Sequence, residues 1–163
     1  MKARKTIIVL AVVVTLSLAL ASMAMAQNLI VVASKAAYQD AQKWSDFLKS
    51  QDVPLKHVTP GEFASYKNEQ YIILMGGVDE PDGIKDLLKK ALSDTEFTSI
   101  SKEGGKGMFV KSDVWGEGQE VIIFAGSNRA GAEAARLENK EEWWNEIVVW
   151  FDIETGGAKL PGY

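Results

Sequence analysis

Three runs of apolar residues, each bounded by polar residues or glycine, stand out along the chain. They are residues 29–33 (LIVVA), 71–75 (YIILM) and 121–125 (VIIFA). Continuous rather than alternating apolar runs are typical of strands that are covered on both faces of a sheet. Residues 55–58 (LKHV) predict a further, shorter strand. The pattern therefore favours a parallel sheet with helices on both sides.

The apolar positions between these runs recur at helical spacing. Ser34 is a candidate N-cap for a helix whose apolar positions extend to Leu48. The clearest amphipathic helix follows residue 79, with acidic residues and a proline in its first turn, where the helix dipole favours negative charge. An Ala-rich helix follows Arg129, and residues 138–151 predict the last helix.

A pair of shorter strands completes the pattern. Residues 98–102 and 108–115 are interpreted as strands that pair around the glycine-rich turn 103–107, and a second close turn lies at 116–118. Strands that alternate with helices indicate a layered α/β fold with parallel central strands. We therefore predict a three-layer α/β sandwich, with a mixed, mostly parallel sheet and an antiparallel edge hairpin.

The first 26 residues have the pattern of a secretory signal peptide. Three basic residues, Lys2, Arg4 and Lys5, precede an uncharged and mostly apolar stretch, and the small-x-small sequence AMA ends it at Ala26. The alternative is an uncleaved N-terminal anchor, because the apolar stretch is close to the roughly 20 residues that span a bilayer. The pattern favours cleavage and an extracellular or cell-envelope location.

Domain boundaries follow from this segment. We predict a signal peptide at 1–26, a single α/β domain at 27–154 and a flexible tail at 155–163, which holds three glycines and a proline. The 137 residues after position 26 correspond to about one domain. After signal cleavage, we expect no segment that spans a membrane.

Charge and cysteine content exclude several classes of function. The chain has 18 basic and 22 acidic residues, so removing the three basic residues of the signal segment leaves 15 against 22, a net charge of −7. Nucleic-acid binding depends on Lys and Arg neutralising phosphates, and we predict no nucleic-acid partner. The absence of cysteine from the sequence excludes disulfides, thiolate metal sites and thiol nucleophiles.

Candidate ligand-binding residues lie in the loops that follow the predicted parallel strands, where ligands meet such sheets. These residues are Ser34, Gly76, Gly77, Asp79, Ser127, Asn128 and Arg129. Short polar side chains and an arginine at a helix N-terminus can hold a carboxylate or a phosphate. The last three also fit a purely structural role, in which a serine or asparagine caps the helix and the arginine is solvated.

No motif predicts catalysis, a metal or a cofactor. The acidic residues Asp79, Glu80 and Asp82 do not follow the spacing of an EF-hand loop. His57 is the only histidine, and no G-x-S-x-G sequence is present. A Ser-His-Asp arrangement that uses a serine at a strand end stays open as an alternative.

Five tryptophans are many for a domain of this length. Trp44 and one of Trp143 and Trp144 lie on apolar helix faces, which predicts core packing. Trp150 falls off the main apolar stripe of its helix, and Trp115 precedes a glycine-rich turn. We predict that these last two are exposed and belong to an interface.

Two stretches resemble archaeal S-layer-like extracellular domains. Residues 110–131 (VKSDVWGEGQEVIIFAGSNRAG) are similar to a segment in which a strand ends in a Trp-bearing turn, a second apolar strand follows, and an A-G-x-x-R-x-G/A loop opens an Ala-rich helix. Residues 74–80 (LMGGVDE) are similar to the strand-Gly-Gly-x-Asp step of the same domains. The chain differs from large S-layer proteins in being short and having a single predicted domain.

The resemblance implies an extracellular α/β module for cell-envelope assembly or surface attachment, with no chemistry of its own. We therefore expect a secreted or envelope-associated, non-enzymatic module that binds an envelope protein or a surface polymer. The alternative is a small secreted hydrolase or ligand-binding protein that uses the three loops at the strand ends.

Overall fold

The computed structural model describes residues 27–154 and Leu160. The predicted signal peptide and the rest of the predicted tail lie outside these residues. The strands are β1 (Leu29–Ala33), β2 (Leu55–Val58), β3 (Tyr71–Gly77), β4 (Lys106–Ser112) and β5 (Glu120–Gly126). The helices are α1 (Lys35–Asp40), α2 (Gln42–Ser50), α3 (Ile84–Ala91), α4 (Asp94–Ser101), α5 (Arg129–Glu138) and α6 (Lys140–Phe151), with a 3-10 helix at Phe63–Ser65. Within the described part, no helix is both long and apolar enough to cross a membrane.

The five strands form one mixed sheet in the order β2-β1-β3-β5-β4. The first four strands in this order are parallel, and β4 is antiparallel to β5 at the edge. The central position of β1 and β3 explains their continuous apolar runs, because both faces and both edges of these strands are covered. The predicted mixed, mostly parallel sheet with an antiparallel edge hairpin is confirmed.

Helices cover both faces of the sheet, which gives the predicted three layers. Helices α1, α2, α5 and α6 pack on one face, in a core that contains Trp44, Phe124 and Trp143. Helices α3 and α4 and the 3-10 helix pack on the other face, around Leu74 and Ile123. Alternate residues of each central strand contribute to the two cores, as the period of a β-strand requires.

The prediction of a strand at residues 98–102 is wrong, because residues 98–101 form the last part of helix α4 and Lys102 follows it. Ser93 caps this helix, and Glu96 completes a capping box by accepting a hydrogen bond from the Ser93 backbone N–H. The partner of β4 is β5, and the chain between them turns at residues 113–119. The edge hairpin therefore exists, but it is built around the second glycine-rich turn rather than the first.

Two helix boundaries also differ from the prediction. Helix α3 begins at Ile84 rather than at residue 79, because Gly83 has a φ of +93° and interrupts the helical backbone just before it. The predicted helix after Ser34 is two helices, α1 and α2, which meet at Ala41. The acidic residues at 79–82 therefore form a loop above the sheet instead of a helical turn.

Glu96 joins α4 to β4 and gives stability a pH dependence. Its carboxylate accepts hydrogen bonds from Lys111 Nζ (2.6 Å) and from the backbone N–H of Ser93 (2.8 Å). The Lys111 contact above all, with help from Ser93, lowers the pKa of Glu96. A lowered pKa in the folded state means that this stabilisation is present above the unfolded-state pKa and is lost as the pH falls through the folded-state pKa.

We expect Glu96→Gln to lower the free energy of unfolding by about 1 kcal/mol at pH 7. The difference from the wild type should narrow as the pH falls below about 4. Urea denaturation at pH 7 and pH 3 measures it, with Glu103→Gln in an exposed turn as the control. If Glu96→Gln lowers the free energy of unfolding equally at both pH values, ionisation of this carboxylate is not what stabilises the contact.

Candidate functional site

The carboxyl ends of β1, β3 and β5 meet at one edge of the sheet, which we call the carboxyl edge. The chain leaves β1 toward helices on one face and leaves β3 toward helices on the other face. Such a change of direction between neighbouring parallel strands opens a crevice, where α/β proteins bind ligands. A cleft of about 810 Å³ lies at this place, between α1, the loop after β3 and one side of α5.

Glycines allow the backbones at this edge to approach one another. A Cβ atom on Gly77 would lie 2.3 Å from the carbonyl carbon of Asn128, and a Cβ atom on Gly126 would lie 2.6 Å from the backbone N of Ala132. The backbone N–H of Val78 donates to the carbonyl of Gly126 at 2.9 Å. The end of β3 is therefore in direct backbone contact with the start of α5.

Neither of the two predicted glycines lines the cleft. Gly77 makes the close approach described above, and a Cβ atom on Gly76 would lie 2.7 Å from Cγ1 of Ile84 in α3. Both glycines thus serve the packing of helices against β3. They position the loop that contains Asp79, which does line the cleft.

Several polar side chains at the carboxyl edge are held by contacts within the domain. Ser34 Oγ accepts a hydrogen bond from the N–H of Ala37 (3.0 Å) and caps α1. Asn128 Oδ1 accepts from the N–H of Gly131 (2.9 Å) and caps α5. Glu80 Oε1 accepts from the N–H of Gly77 (2.8 Å), which fixes the loop after β3. These side chains therefore shape the cleft by holding its backbone.

An ion pair crosses the cleft. Arg129 Nε lies 2.9 Å from Asp40 Oδ2, which joins the start of α5 to the end of α1. Both side chains are about half exposed, so the pair contributes little to stability. It does place the guanidinium against a carboxylate, so an anionic ligand at Arg129 would compete with Asp40.

The cleft is predominantly acidic. Its lining includes the carboxylates of Asp40, Asp79, Glu80 and Glu133, against the single guanidinium of Arg129. Glu133 in turn holds the side chain of Arg136, with Glu133 Oε1 2.5 Å from Arg136 Nη2. The excess of negative charge favours a cationic ligand over the carboxylate or phosphate predicted from the loop at 126–129.

The predicted site residues are only partly brought together. Asp79, Asn128 and Arg129 line the cleft, whereas Ser34 and Ser127 do not. The backbone N–H of Ser127 donates to the carbonyl of Gly105 at 2.8 Å, which ties the α5 loop to the start of β4. The two serines are thus close to the site in the fold but serve its framework.

His57 has a structural environment. Its Nε2 lies 3.0 Å from the carbonyl oxygen of Ala33, and its ring stacks on that of Tyr38 with centroids 4.0 Å apart. Within residues 27–154, no hydrogen bond joins this histidine to a serine. Over the same described part of the chain, no group of three or more carboxylate or imidazole side chains is placed to hold a metal ion.

The tryptophans divide between core and half-buried positions. Trp44, Trp143 and Trp144 are buried, which confirms the prediction of core packing and extends it to both members of the adjacent pair. Trp115 is half-buried, and its ring centroid lies 4.8 Å from that of Phe63. Trp150 is also half-buried and stacks on the ring of Tyr71, with centroids 5.1 Å apart. The two predicted interface tryptophans are therefore less exposed than their sequence positions suggested.

Three carboxylates of the cleft were not among the sequence-derived site residues. Glu133 follows Arg129 by four positions, so helical spacing places both on one side of α5, and this signal was available. For Glu80, the sequence raises only the question of a metal ligand. Asp40 lies about 90 positions before Arg129, and no local pattern connects the two. Only the fold brings these residues together.

A scan against protein-family models gave no match, and searches of curated proteins and of solved structures gave none either. The likeness to archaeal S-layer-like domains consequently rests on residues 74–80 and 110–131 alone. We therefore infer function from this chain's own geometry and charge.

Proposed function

We propose that this protein is exported and acts outside the cell or in the cell envelope, as a non-enzymatic S-layer-like module that binds an envelope protein or a surface polymer. The observation that carries the proposal is the arrangement of the cleft at the carboxyl edge. Apart from Asp79, its polar side chains are engaged in the cap of α5, in the Glu80–Gly77 loop contact and in the ion pairs Asp40–Arg129 and Glu133–Arg136. A surface that is held in place in this way is preorganised for recognition.

The charge of the cleft indicates which chemistry the partner presents. Asp79 is exposed at the rim, and among the described residues its side chain makes no hydrogen bond or ion pair. Because the cleft carries more carboxylates than cations, the partner is expected to offer amino or guanidinium groups. Pro81, Ala130 and Leu137 supply apolar contact area between the charges.

Export is supported by the N-terminal segment. Its basic start, apolar stretch and small-residue cleavage site match the requirements of a secretory signal. A protein without cysteine gains nothing from an oxidising compartment, so its stability there depends on its two hydrophobic cores. Both cores are well developed for a domain of this size.

A second candidate function is favoured by the size of the cleft. About 810 Å³ falls in the range of small-molecule sites, and the position at the crevice between β1 and β3 is the usual one in such folds. A small secreted hydrolase or a ligand-binding protein would use this cleft with Ser127 and Arg129 nearby. Turnover that Ser127→Ala and Arg129→Ala abolish would establish the hydrolase and would overturn the non-enzymatic proposal.

The effect of a charge reversal tests whether the cleft binds the envelope. We expect Asp79→Lys to weaken the binding of the purified protein to isolated envelopes of the producing cells by about tenfold at low salt. The loss should shrink in high salt, because exposed charges are screened. Co-sedimentation with the envelopes measures the affinity.

Glu117→Lys is the matched control for this variant. It makes the same change of charge on an exposed residue of the turn between β4 and β5, at the opposite edge of the sheet. Its binding should stay within about twofold of the wild type, since the interaction at the cleft is local. Equal losses in both variants would mean that overall charge, and not the cleft, determines binding.

A further inference from the structure

β4 is an edge strand whose outward hydrogen-bonding groups can be identified. The Ser127 N–H donates to the carbonyl of Gly105, and the Asp113 N–H donates to the carbonyl of Gln119, both at 2.8 Å. These two bonds continue the register between β4 and β5 on either side of the strand. In an antiparallel pair, hydrogen-bonded positions alternate with positions that point away. The odd-numbered residues of β4 therefore bond to β5, and the even-numbered residues direct their N–H and C=O groups outward.

The outward residues are Lys106, Met108, Val110 and Ser112. Over the described part of the chain, no hydrogen bond to their backbone groups is present beyond the sheet. The side chains of Met108, Phe109 and Val110 are apolar but only half-buried. A seven-residue edge strand with an apolar centre is a template for pairing with another chain.

Lysines often protect such edges, but the two lysines of β4 are directed elsewhere. Lys106 pairs with Glu138 at the end of α5, and Lys111 Nζ lies 2.6 Å from Glu96 Oε1 in α4. Both ammonium groups are thus neutralised by helices of their own domain. The other edge strand, β2, has only four residues and an exposed lysine near its middle. Of the two edges, β4 is the one suited to association.

We propose that a second copy of this chain pairs with β4 in antiparallel orientation, about a two-fold axis that passes through Phe109. The two five-stranded sheets then form one continuous sheet of ten strands. In this register Met108 faces Val110 of the second copy, and Lys106 faces Ser112. All four outward residues gain partners, with about eight new backbone hydrogen bonds.

The sequence of β4 favours this register over its neighbours. Lys111 lies opposite Gly107 of the second copy, so no lysine meets another lysine. Moving the axis to Met108 or to Val110 leaves one outward residue beyond the end of the paired strand. The two Phe109 rings meet at the axis. They lie on the face of the sheet that α3 and α4 cover, where Phe109 already packs against the core around Leu74 and Ile123. The proposal does not depend on what the cleft binds.

Sedimentation equilibrium of the purified protein, expressed from the full chain in a host that processes secretory signals, measures the association. We expect a monomer–dimer equilibrium that Val110→Pro weakens by about 30-fold or more, because each dimer loses two backbone hydrogen bonds. The Val110 N–H points away from β5, so proline at this edge position leaves the β4–β5 ladder intact. Val110→Thr keeps the N–H and should change the association by less than about threefold. A protein that stays monomeric at all concentrations, or a dimer that Val110→Pro leaves unchanged, would overturn the proposal.

Cysteine cross-linking tests the register in a second way and is informative even if the proline variant does not fold. The chain has no cysteine of its own, so an introduced thiol has no competitor. Phe109→Cys places two thiols at a non-hydrogen-bonded pair, where the Cα atoms are about 4.5 Å apart and a disulfide fits. Ser112→Cys on the same strand places its thiols about 20 Å apart in the same dimer. Oxidation should link Phe109→Cys and not Ser112→Cys, and the reverse result would contradict the two-fold axis at Phe109.

Discussion

Trp143→Ala is expected to lower the free energy of unfolding by about 4 kcal/mol, one of the two largest effects that we predict for a single substitution. Trp143 is fully buried, and its ring packs edge-to-face against Trp44 with centroids 6.0 Å apart. Its indole N–H donates to the carbonyl of Arg136 at 3.0 Å, near the end of α5. Alanine removes both the aromatic contact and this donor, and it leaves a cavity. Urea denaturation followed by fluorescence or circular dichroism measures the loss.

Two phenylalanine variants separate the hydrogen bond from the packing. Trp143→Phe keeps most of the ring but removes the N–H that bonds to Arg136. Trp44→Phe makes the same chemical change at a buried indole whose N–H has no acceptor within residues 27–154. We expect Trp143→Phe to be more destabilising than Trp44→Phe by about 1 kcal/mol. A larger loss for Trp44→Phe would contradict the role assigned to the Trp143 hydrogen bond.

Gly77→Ala is expected to destabilise the protein by about 3 kcal/mol, because its Cβ atom would overlap backbone atoms that cannot move independently. The nearest are the carbonyl carbon and Cα of Asn128, at 2.3 and 2.5 Å. The start of α5 would have to move away from β3, and with it the Asn128 cap and Arg129. In a domain of this size the midpoint of thermal unfolding should fall by about 10 °C. Differential scanning calorimetry measures the shift.

Gly61→Ala is the control for this prediction. No atom lies within 4 Å of the Cβ position at Gly61, so the added methyl group meets open space. Its effect on stability should stay within about 0.5 kcal/mol, as for most exposed substitutions. If the two variants unfold at the same temperature, the close approach of β3 and α5 is not a determinant of stability.

The central strands were predictable because their burial determines which residue types they contain. A strand that is covered on both faces contains few polar residues, and the apolar runs at 29–33, 71–75 and 121–125 coincide with β1, β3 and β5 to within two residues. The order of the strands cannot be read from residue types, because it depends on which long-range pairs form. The parallel pairing of β3 with β5 is an example, since more than forty residues separate the two strands.

The error at residues 98–102 has an identifiable cause. Threonine and isoleucine in this stretch favour strands, but the capping box at Ser93 and Glu96 starts a helix that continues through them. The capping signal was present in the sequence and outweighs the strand preference of these residues. The first backbone N–H groups of a helix have no partner within the helix, and the capping box provides acceptors at this end. With the helix recognised, the partner of β4 follows from the second glycine-rich turn.

The candidate site was predictable as a place but not as a set of residues. Loops at the carboxyl ends of parallel strands converge whatever their sequence, and Asp79, Asn128 and Arg129 were found in this way. The charge of the cleft was missed because it depends on Asp40 and Glu133, which reach the cleft from helices on one face of the sheet. A helix face that looks solvated in the sequence becomes part of a site once a second helix lies beside it.

The proposal of an exported envelope module is tested most directly by fractionating the producing cells and measuring the intact mass of the protein in each fraction. We predict a species that begins at Gln27, found with the envelope and released by high salt, because charge complementarity at an acidic cleft holds it there. Full-length chain retained in the cytoplasm or in the membrane would contradict the predicted processing. Processed protein that is entirely free in the medium and does not bind added envelopes would contradict the binding role.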